Sequence, residues 1–295
     1  MPPARPNESA PIALTAMKPD DVPLQPTGCT PLPVRRWRQG QWHEAQDLVA
    51  QERPVALEYN GLSHAVMLAT PDDLADFALG FSLTEGLVDR AEQVYGIDIN
   101  DSPAGITVRI EVASACFARF KDQRRSLAGR TGCGLCGAEN LAQAVRQVKP
   151  VSSTARFSPQ ALSRGMGQLR ARQPLLSATG ATHAAGWCDA SGQLQLARED
   201  VGRHNALDKL IGALLRPGQA LQAQAGSGFI VVTSRASHEM AQKTAAAGVP
   251  LLAAVSGVTE LAVHTADAAG LSLLGFARGD DFSIYTHAQR VILEA

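Results

Sequence analysis

No stretch of the 295-residue chain approaches the roughly 18 consecutive apolar residues that would suggest a membrane span. An excess of either charge is also missing. Net charge is −1, so no global basic field argues for nucleic acid as a partner. The first ten residues, MPPARPNESA, lack the apolar segment of a secretory signal. Cysteine is scarce, five in all, odd in number and scattered. That usage fits a reducing cytoplasm better than a disulfide framework. What is present is enough hydrophobic residue, 45%, to build a substantial core over about two domains.

The chain opens with a tail, Met1 to Pro33, rich in proline and small polar residues and expected to be disordered. From Val34 the pattern turns to strands. Arg53 to Tyr59 and Ser63 to Ala69 flank Asn60-Gly61, the strongest short hairpin signal. A helix is predicted next, with Thr70 as N-cap, Pro71 at the first helical position and Asp73 completing a capping box. Leu74, Phe77, Ala78 and Phe81 give it one apolar face, and Gly86 ends it. Ile106 to Val112 alternates as a strand. Residues 34–150 thus read as a small α+β unit, with residues 151–295 as a second domain.

The stretch with the most chemistry is Gly129 to Asn140, GRTGCGLCGAEN, which holds Cys133 and Cys136 in a C-x-x-C among four glycines. Glycine lets such a loop take left-handed angles and admit a large partner close to its main chain. Arg130 and the basic run before it (Arg119, Lys121, Arg124, Arg125) favour thiolate, the reactive form of cysteine. The run itself reads either as a solvated helix face or as an attractor for an anionic partner. Sulfur chemistry and metal binding both suit the dithiol. A structural zinc site needs four ligands, and Cys29, Cys116, Cys188 and the histidines supply no second pair at finger-like spacing. Gly132, Gly134 and Gly137 formally spell a dinucleotide fingerprint, but no hydrophobic strand precedes them. Thioredoxin-like pairs are not embedded in glycine like this one.

The C-terminal part alternates strand and helix, which implies a sheet covered by helices. Leu175 to Gly186 reads as a strand running into a small-residue turn that holds His183, a residue open to a structural or a functional role. Trp187 to Ala197 reads as a hairpin, and a helix follows with Asp200 as its N-cap. Glu199, Asp200, Arg203, His204, Asn205, Asp208 and Lys209 gather near its start, a place that suits a phosphate or another polar ligand. Strands are predicted at Phe229–Thr233, Leu251–Val255, Leu271–Phe276 and Phe282–Thr286, with helices at Ser237–Ala247 and Thr259–Ala269. Ligands bind at the carboxyl ends of strands in such sheets. That rule brings Ser234, Arg235, Ser237, Ser256-Gly257 and Arg278-Gly279 to one rim.

Taken together, GRTGCGLCGAEN, TGATHAAG, AREDVGRHNALDKLIG, SRASHEMAQK and GFARGDDFSIYT, with the upstream ATPDDLADFALGFSLTEGLV, resemble the motifs of the FdhD family, in order from about Pro54 to Thr286. Members of that family are formate dehydrogenase accessory proteins acting as sulfur carriers. One departure is Ala181, where the family tends to have glycine. The resemblance implies an α/β (α+β overall) chain whose C-terminal half is a cytidine-deaminase-like αβα sandwich. It lacks the deaminase H-x-E…P-C-x-x-C order, so deaminase activity is not implied. It also implies that a cysteine desulfurase hands sulfane sulfur to Cys133 as a persulfide, with Cys136 beside it. The sulfur then passes to the molybdenum of bis-(molybdopterin guanine dinucleotide), the bound substrate, which is inserted into formate dehydrogenase. The cofactor-binding segment falls on Phe276, Ala277, Arg278, Gly279, Asp280 and Asp281, with His183, Ser234 and Arg235 on the same rim. No metal of its own, no nucleic acid and no membrane are expected, and a homodimer is left open. A zinc-binding interaction module and a guanine-nucleotide-binding regulator are the competing readings.

Overall fold

The computed structural model describes residues 26–128, 149–218 and 221–292. A two-stranded ribbon comes first, β1 (Cys29–Arg38) antiparallel to β2 (Gln41–Ala50). Cys29 to Pro33, read from sequence as tail, form its first half. A four-stranded sheet follows in the order β4-β3-β6-β5, from β3 (Arg53–Tyr59), β4 (Leu62–Ala69), β5 (Val94–Ser102) and β6 (Gly105–Val112). Asn60 and Gly61 turn the β3–β4 hairpin with φ of 47° and 80°, the left-handed pair that a tight turn between twisted strands requires. One face of this sheet is covered by α1 (Leu74–Thr84) and α2 (Ser114–Ala128). The basic run lies on α2, where Arg119 pairs with Asp89 at 2.8 Å.

The larger sheet has six strands in the order β12-β11-β10-β9-β7-β8. They are β7 (His183–Cys188), β8 (Leu194–Asp200), β9 (Phe229–Val232), β10 (Leu251–Ala254), β11 (Ser272–Arg278) and β12 (Asp281–Thr286). Strands β9, β10 and β11 run parallel, while β7 is antiparallel to β9 and β12 to β11. Side chains alternate across a strand, so each strand feeds two cores. Ile230, Val232, Leu252 and Leu273 pack with α5 (Arg203–Leu215), α6 (His238–Ala246) and α7 (Glu260–Ala268). Val231, Leu251, Ala253 and Leu274 pack on the opposite side with α3 (Pro159–Ala171). The third core belongs to the four-stranded sheet and draws its buried residues from 55–120, where a side chain such as the fully buried Phe77 contributes about 1.5–3 kcal/mol.

Helix α1 joins the two sheets. Its apolar face meets the four-stranded sheet, and its other face lies on α5. There Gly80 and Gly212 stand back to back, and a Cβ on either would overlap the opposite main chain at Asp208 or Asp76. The rest of this contact is charged. Asp200 Oδ2 accepts from the Thr70 amide at 3.0 Å and the Thr70 hydroxyl at 2.9 Å, and lies 2.7 Å from Lys209 Nζ. Asp76 accepts from Arg198 and Arg216. Lys243 Nζ donates to Asp208 at 2.9 Å and to Glu85 at 2.7 Å. Burial opposes the charge on Lys243, but the two carboxylates outweigh it and raise its pKa.

These bonds correct two sequence expectations. Thr70 is not a helix cap, because its hydroxyl and amide are spent on Asp200, and α1 starts four residues later behind Asp73. Asp200 is not the cap of α5 either. It ends β8, and Gly202 takes the N-cap position. A third correction concerns Leu175 to Gly186. Pro174–Thr179 form a short helix, α4, closed by Gly180 at φ 70°, and the strand begins only at His183.

Candidate functional site

The carboxyl ends of β9, β10 and β11 lie side by side because these strands are parallel. The amide of Ser256 donates to the carbonyl of Ser234 at 3.4 Å, and that of Phe276 to Ser256 at 3.1 Å. Beyond the strands, the Ala236 amide donates to Gly257 at 3.2 Å. Strand β7 runs the other way, so its first residue, His183, reaches the same rim; the Ala184 amide donates to the Thr233 hydroxyl at 2.9 Å. The structure therefore brings His183, Ser234, Arg235, Ser256, Gly257 and Phe276 together. Ser234 is buried, while Arg235 is exposed.

Two helices start at this rim. Neither Gly202 before α5 nor Ser237 before α6 caps its helix through a side chain. Free amides and the positive end of the helix dipole at such positions favour anions. Arg203 opens α5, and its buried Nε has no hydrogen-bond partner. Burial, and then the Arg203 charge, hold the pKa of half-buried His183 below the ordinary 6.5. His204 Nε2 lies 3.1 Å from Glu239 Oε2 and 3.4 Å from the Ser237 hydroxyl. Burial lowers its pKa as well, and Glu239 opposes the shift only in part. Both shifts favour the neutral imidazole.

A pH dependence follows. Below 6.5 the unfolded chain takes up protons at these positions that the folded chain resists, so folding stability falls as pH drops from 7 toward 5. Urea titrations at the two pH values should show a smaller loss for His183→Gln/His204→Gln than for the unaltered chain. An equal loss in both would place the acid sensitivity elsewhere.

The segment Phe276 to Asp281 closes the β11–β12 hairpin. Gly275 pairs with Ser283 and Arg278 with Asp281, so Phe276 and Ala277 together face one residue of β12. This bulge puts Phe276 at φ 55°, with the residue 49% exposed and its ring set against Gly257. Ala277 points into the core beside α3. Arg278 is exposed and donates from Nε to the Val255 carbonyl at 3.0 Å. Gly279 and Asp280 form the tip, and the Ser163 hydroxyl on α3 donates to Asp280 Oδ1 at 2.7 Å.

The polar cluster around α5 divides. Arg203 and His204 stay at the rim. Glu199 accepts from the amides of Leu175 and Leu176 and from the Thr182 hydroxyl, which holds α4 to β8. Asp200, Asn205, Asp208 and Lys209 are buried in the contact with the four-stranded unit, where they face Thr70, Thr84 and Leu68. Lys243, Thr84 and Glu85, which the sequence reading gave no role of their own, complete that network.

Cys133 and Cys136 lie outside the described residues. Of the cysteines within them, Cys116 and Cys188 are buried and Cys29 is partly so. Burial, with Asp189 adding to it, pushes the Cys188 thiol up to about 12, which makes it a poor nucleophile at neutral pH.

Several known proteins match this chain. The family model described as FdhD/NarQ family matches residues 50–292. A protein of Variovorax paradoxus named sulfur carrier protein FdhD is 57% identical over 92% of this chain and 96% of its own length. One of the same name from Cupriavidus necator is 56% identical over 89% and 90%. A crystal structure of a protein assigned as a formate dehydrogenase accessory protein, from Desulfotalea psychrophila, covers 90% of this chain and 99% of its own, with a TM-score of 0.70 and 21% identity. A family model spanning both sheets, and relatives at this identity over nearly their whole length, leave one reading of its kinship: the chain belongs to the FdhD/NarQ family.

Proposed function

We propose that this chain is a sulfur carrier serving formate dehydrogenase. The observation that carries the reading is its 57% identity, almost end to end, to a protein named as a sulfur carrier, in a chain that holds the Cys133–Cys136 dithiol. Sulfur arrives from a cysteine desulfurase. The Cys133 thiolate attacks the terminal sulfur of the donor persulfide, the donor's S–S bond breaks, and the donor thiolate leaves with its electron pair and is protonated. Cys133 then carries the persulfide to the molybdenum of bis-(molybdopterin guanine dinucleotide), the substrate that accepts it. Mass spectrometry of the chain after exposure to a desulfurase and cysteine tests the carrier step directly.

In this reading the substrate's guanine dinucleotide groups sit at the strand-end rim. Three features support that placement. Two helix starts without side-chain caps offer amides to pyrophosphate, Arg203 has an unused donor, and Phe276 exposes an aromatic face. The second unit, residues 151–295, would be a cytidine-deaminase-like αβα sandwich, with residues 34–150 as the smaller unit that leads into the dithiol. The protein would work in the cytoplasm, and self-association into a dimer belongs to the same proposal.

Calorimetry with GDP tests the rim. Arg278 is exposed beside Phe276, and Arg278→Ala should weaken GDP binding by about 1.5–3 kcal/mol through loss of a charge-assisted hydrogen bond. Unchanged affinity would remove Arg278 from the site.

A further inference from the structure

We infer that Ser163, far from the rim in sequence, positions the Phe276–Asp281 segment for its ligand; the nucleotide arm of this inference rests on the proposed function. The segment needs holding. A bulky residue at positive φ costs on the order of 1–2 kcal/mol and persists only where its surroundings enforce it. Around Phe276, three restraints are visible, and all tie the bulge to the end of β10. The Phe276 amide donates to Ser256, Arg278 Nε donates to Val255, and the ring leans on Gly257.

None of these holds the hairpin tip. Beyond Leu274 the β11–β12 hairpin extends past its pairing with β10, so the tip has no strand partner on that side. The Ser163 hydroxyl supplies the missing restraint from a different layer, donating to Asp280 at 2.7 Å across 117 residues of sequence. Ser163 sits on a firm base. Its helix begins with a Ser158 cap that accepts from the Ala161 amide at 3.1 Å, and its neighbours Ala161 and Leu162 are buried. With the bulge pinned at β10 and the tip pinned at α3, the hairpin cannot rock about the bulge. Rocking would swing Phe276 and Arg278 relative to Ser256 and Gly257. Ser163 touches no ligand in this account; it acts through Asp280.

The test compares GDP affinity and amide hydrogen exchange at residues 276–280 in Ser163→Ala, Asp280→Ala, the double variant, and two conservative changes. Ser163→Ala and Asp280→Ala should each raise the GDP dissociation constant about three- to tenfold, as expected for the net worth of one solvent-exposed hydrogen bond. Both should speed exchange at 276–280 and leave the thermal midpoint close to that of the unaltered chain. The double variant should be no worse than either single, because both remove the same contact. Asp280→Asn keeps an acceptor and Ser163→Thr a donor, so both should retain most of the affinity. Additive losses, or faster exchange with unchanged GDP affinity, would overturn the positioning role. If the unaltered chain does not bind GDP, the nucleotide reading fails by itself, and exchange at 276–280 still decides the tether: unchanged exchange in Ser163→Ala sinks it.

Discussion

Cys133→Ala should abolish the gain of about 32 Da, one sulfur atom, that the chain acquires from a cysteine desulfurase and cysteine. The same substitution should reduce formate dehydrogenase maturation to background in cells that depend on this protein. Gly132 and Gly134 flank Cys133, so its sulfur can be presented without a neighbouring side chain in the way. Arg130 and the basic run before it favour the thiolate, on which the rate of sulfur exchange depends. The buried thiols offer no substitute, since Cys116 and Cys188 are both inaccessible to a donor protein. Cys136→Ala should keep most of the adduct, because the proposed carrier role falls on Cys133, with Cys136 three residues on in sequence as the partner that resolves or stabilises its persulfide. Loss of the adduct in Cys136→Ala with retention in Cys133→Ala would reverse the two roles. Retention in the double variant would show that the dithiol is not the carrier.

The second large effect concerns stability. Asp200→Ala should cost about 3–5 kcal/mol, since it leaves the fully buried Lys209 ammonium without its counter-ion. Against a typical stability of about 5–15 kcal/mol that loss brings the chain near unfolding at ambient temperature. Asp200 also accepts from Thr70, Gly202 and Asn205, so the deletion strips partners from both units at once. Replacing the lysine as well, in Asp200→Ala/Lys209→Met, should recover part of the loss by removing the buried charge. Urea denaturation of the unaltered chain, Asp200→Ala, Lys209→Met and the double variant measures this. A double variant as unstable as the sum of two single losses would mean that the charges do not act as a pair.

How legible all this was in the sequence depended on the range of the forces involved. Helices α6 and α7 were readable because their starts and stops are local, with Ser237 and Thr259 at one end and Gly248 and Gly270 at the other. The Asn60-Gly61 hairpin was readable for the same reason. Strand β5 was missed because it is an edge strand bearing Asp98, Asn100 and Asp101, with little apolar alternation to signal it. The run Leu175 to Thr179 is too short to separate helix from strand by periodicity, and Pro174 decided for the helix. The gathering of Ser234, Arg235 and Ser256 at one sheet edge was foreseen from the alternation of strands and helices. The purpose of Asp200, Asp208 and Lys209 was not. Charges near a helix start read as a ligand site, and only the tertiary contact with α1 turns them into an internal bond. The Ser163 tether, joining residues from distant parts of the chain, had no local trace.

The contact between α1 and α5 also sets a timetable. Thr70 and Asp200 are 130 residues apart, Thr84 and Asp208 are 124 apart, and Lys243 lies 159 residues beyond Thr84. A ribosome adding about 5–20 residues per second needs on the order of ten seconds to cover such a gap. Throughout that interval the newborn N-terminal sheet carries α1 with its second face, Asp76, Gly80 and Thr84, open to water. The polar character of that face suits the wait, for it gives other unfinished chains little apolar surface to adhere to. The two glycines defer the close fit until α5 arrives.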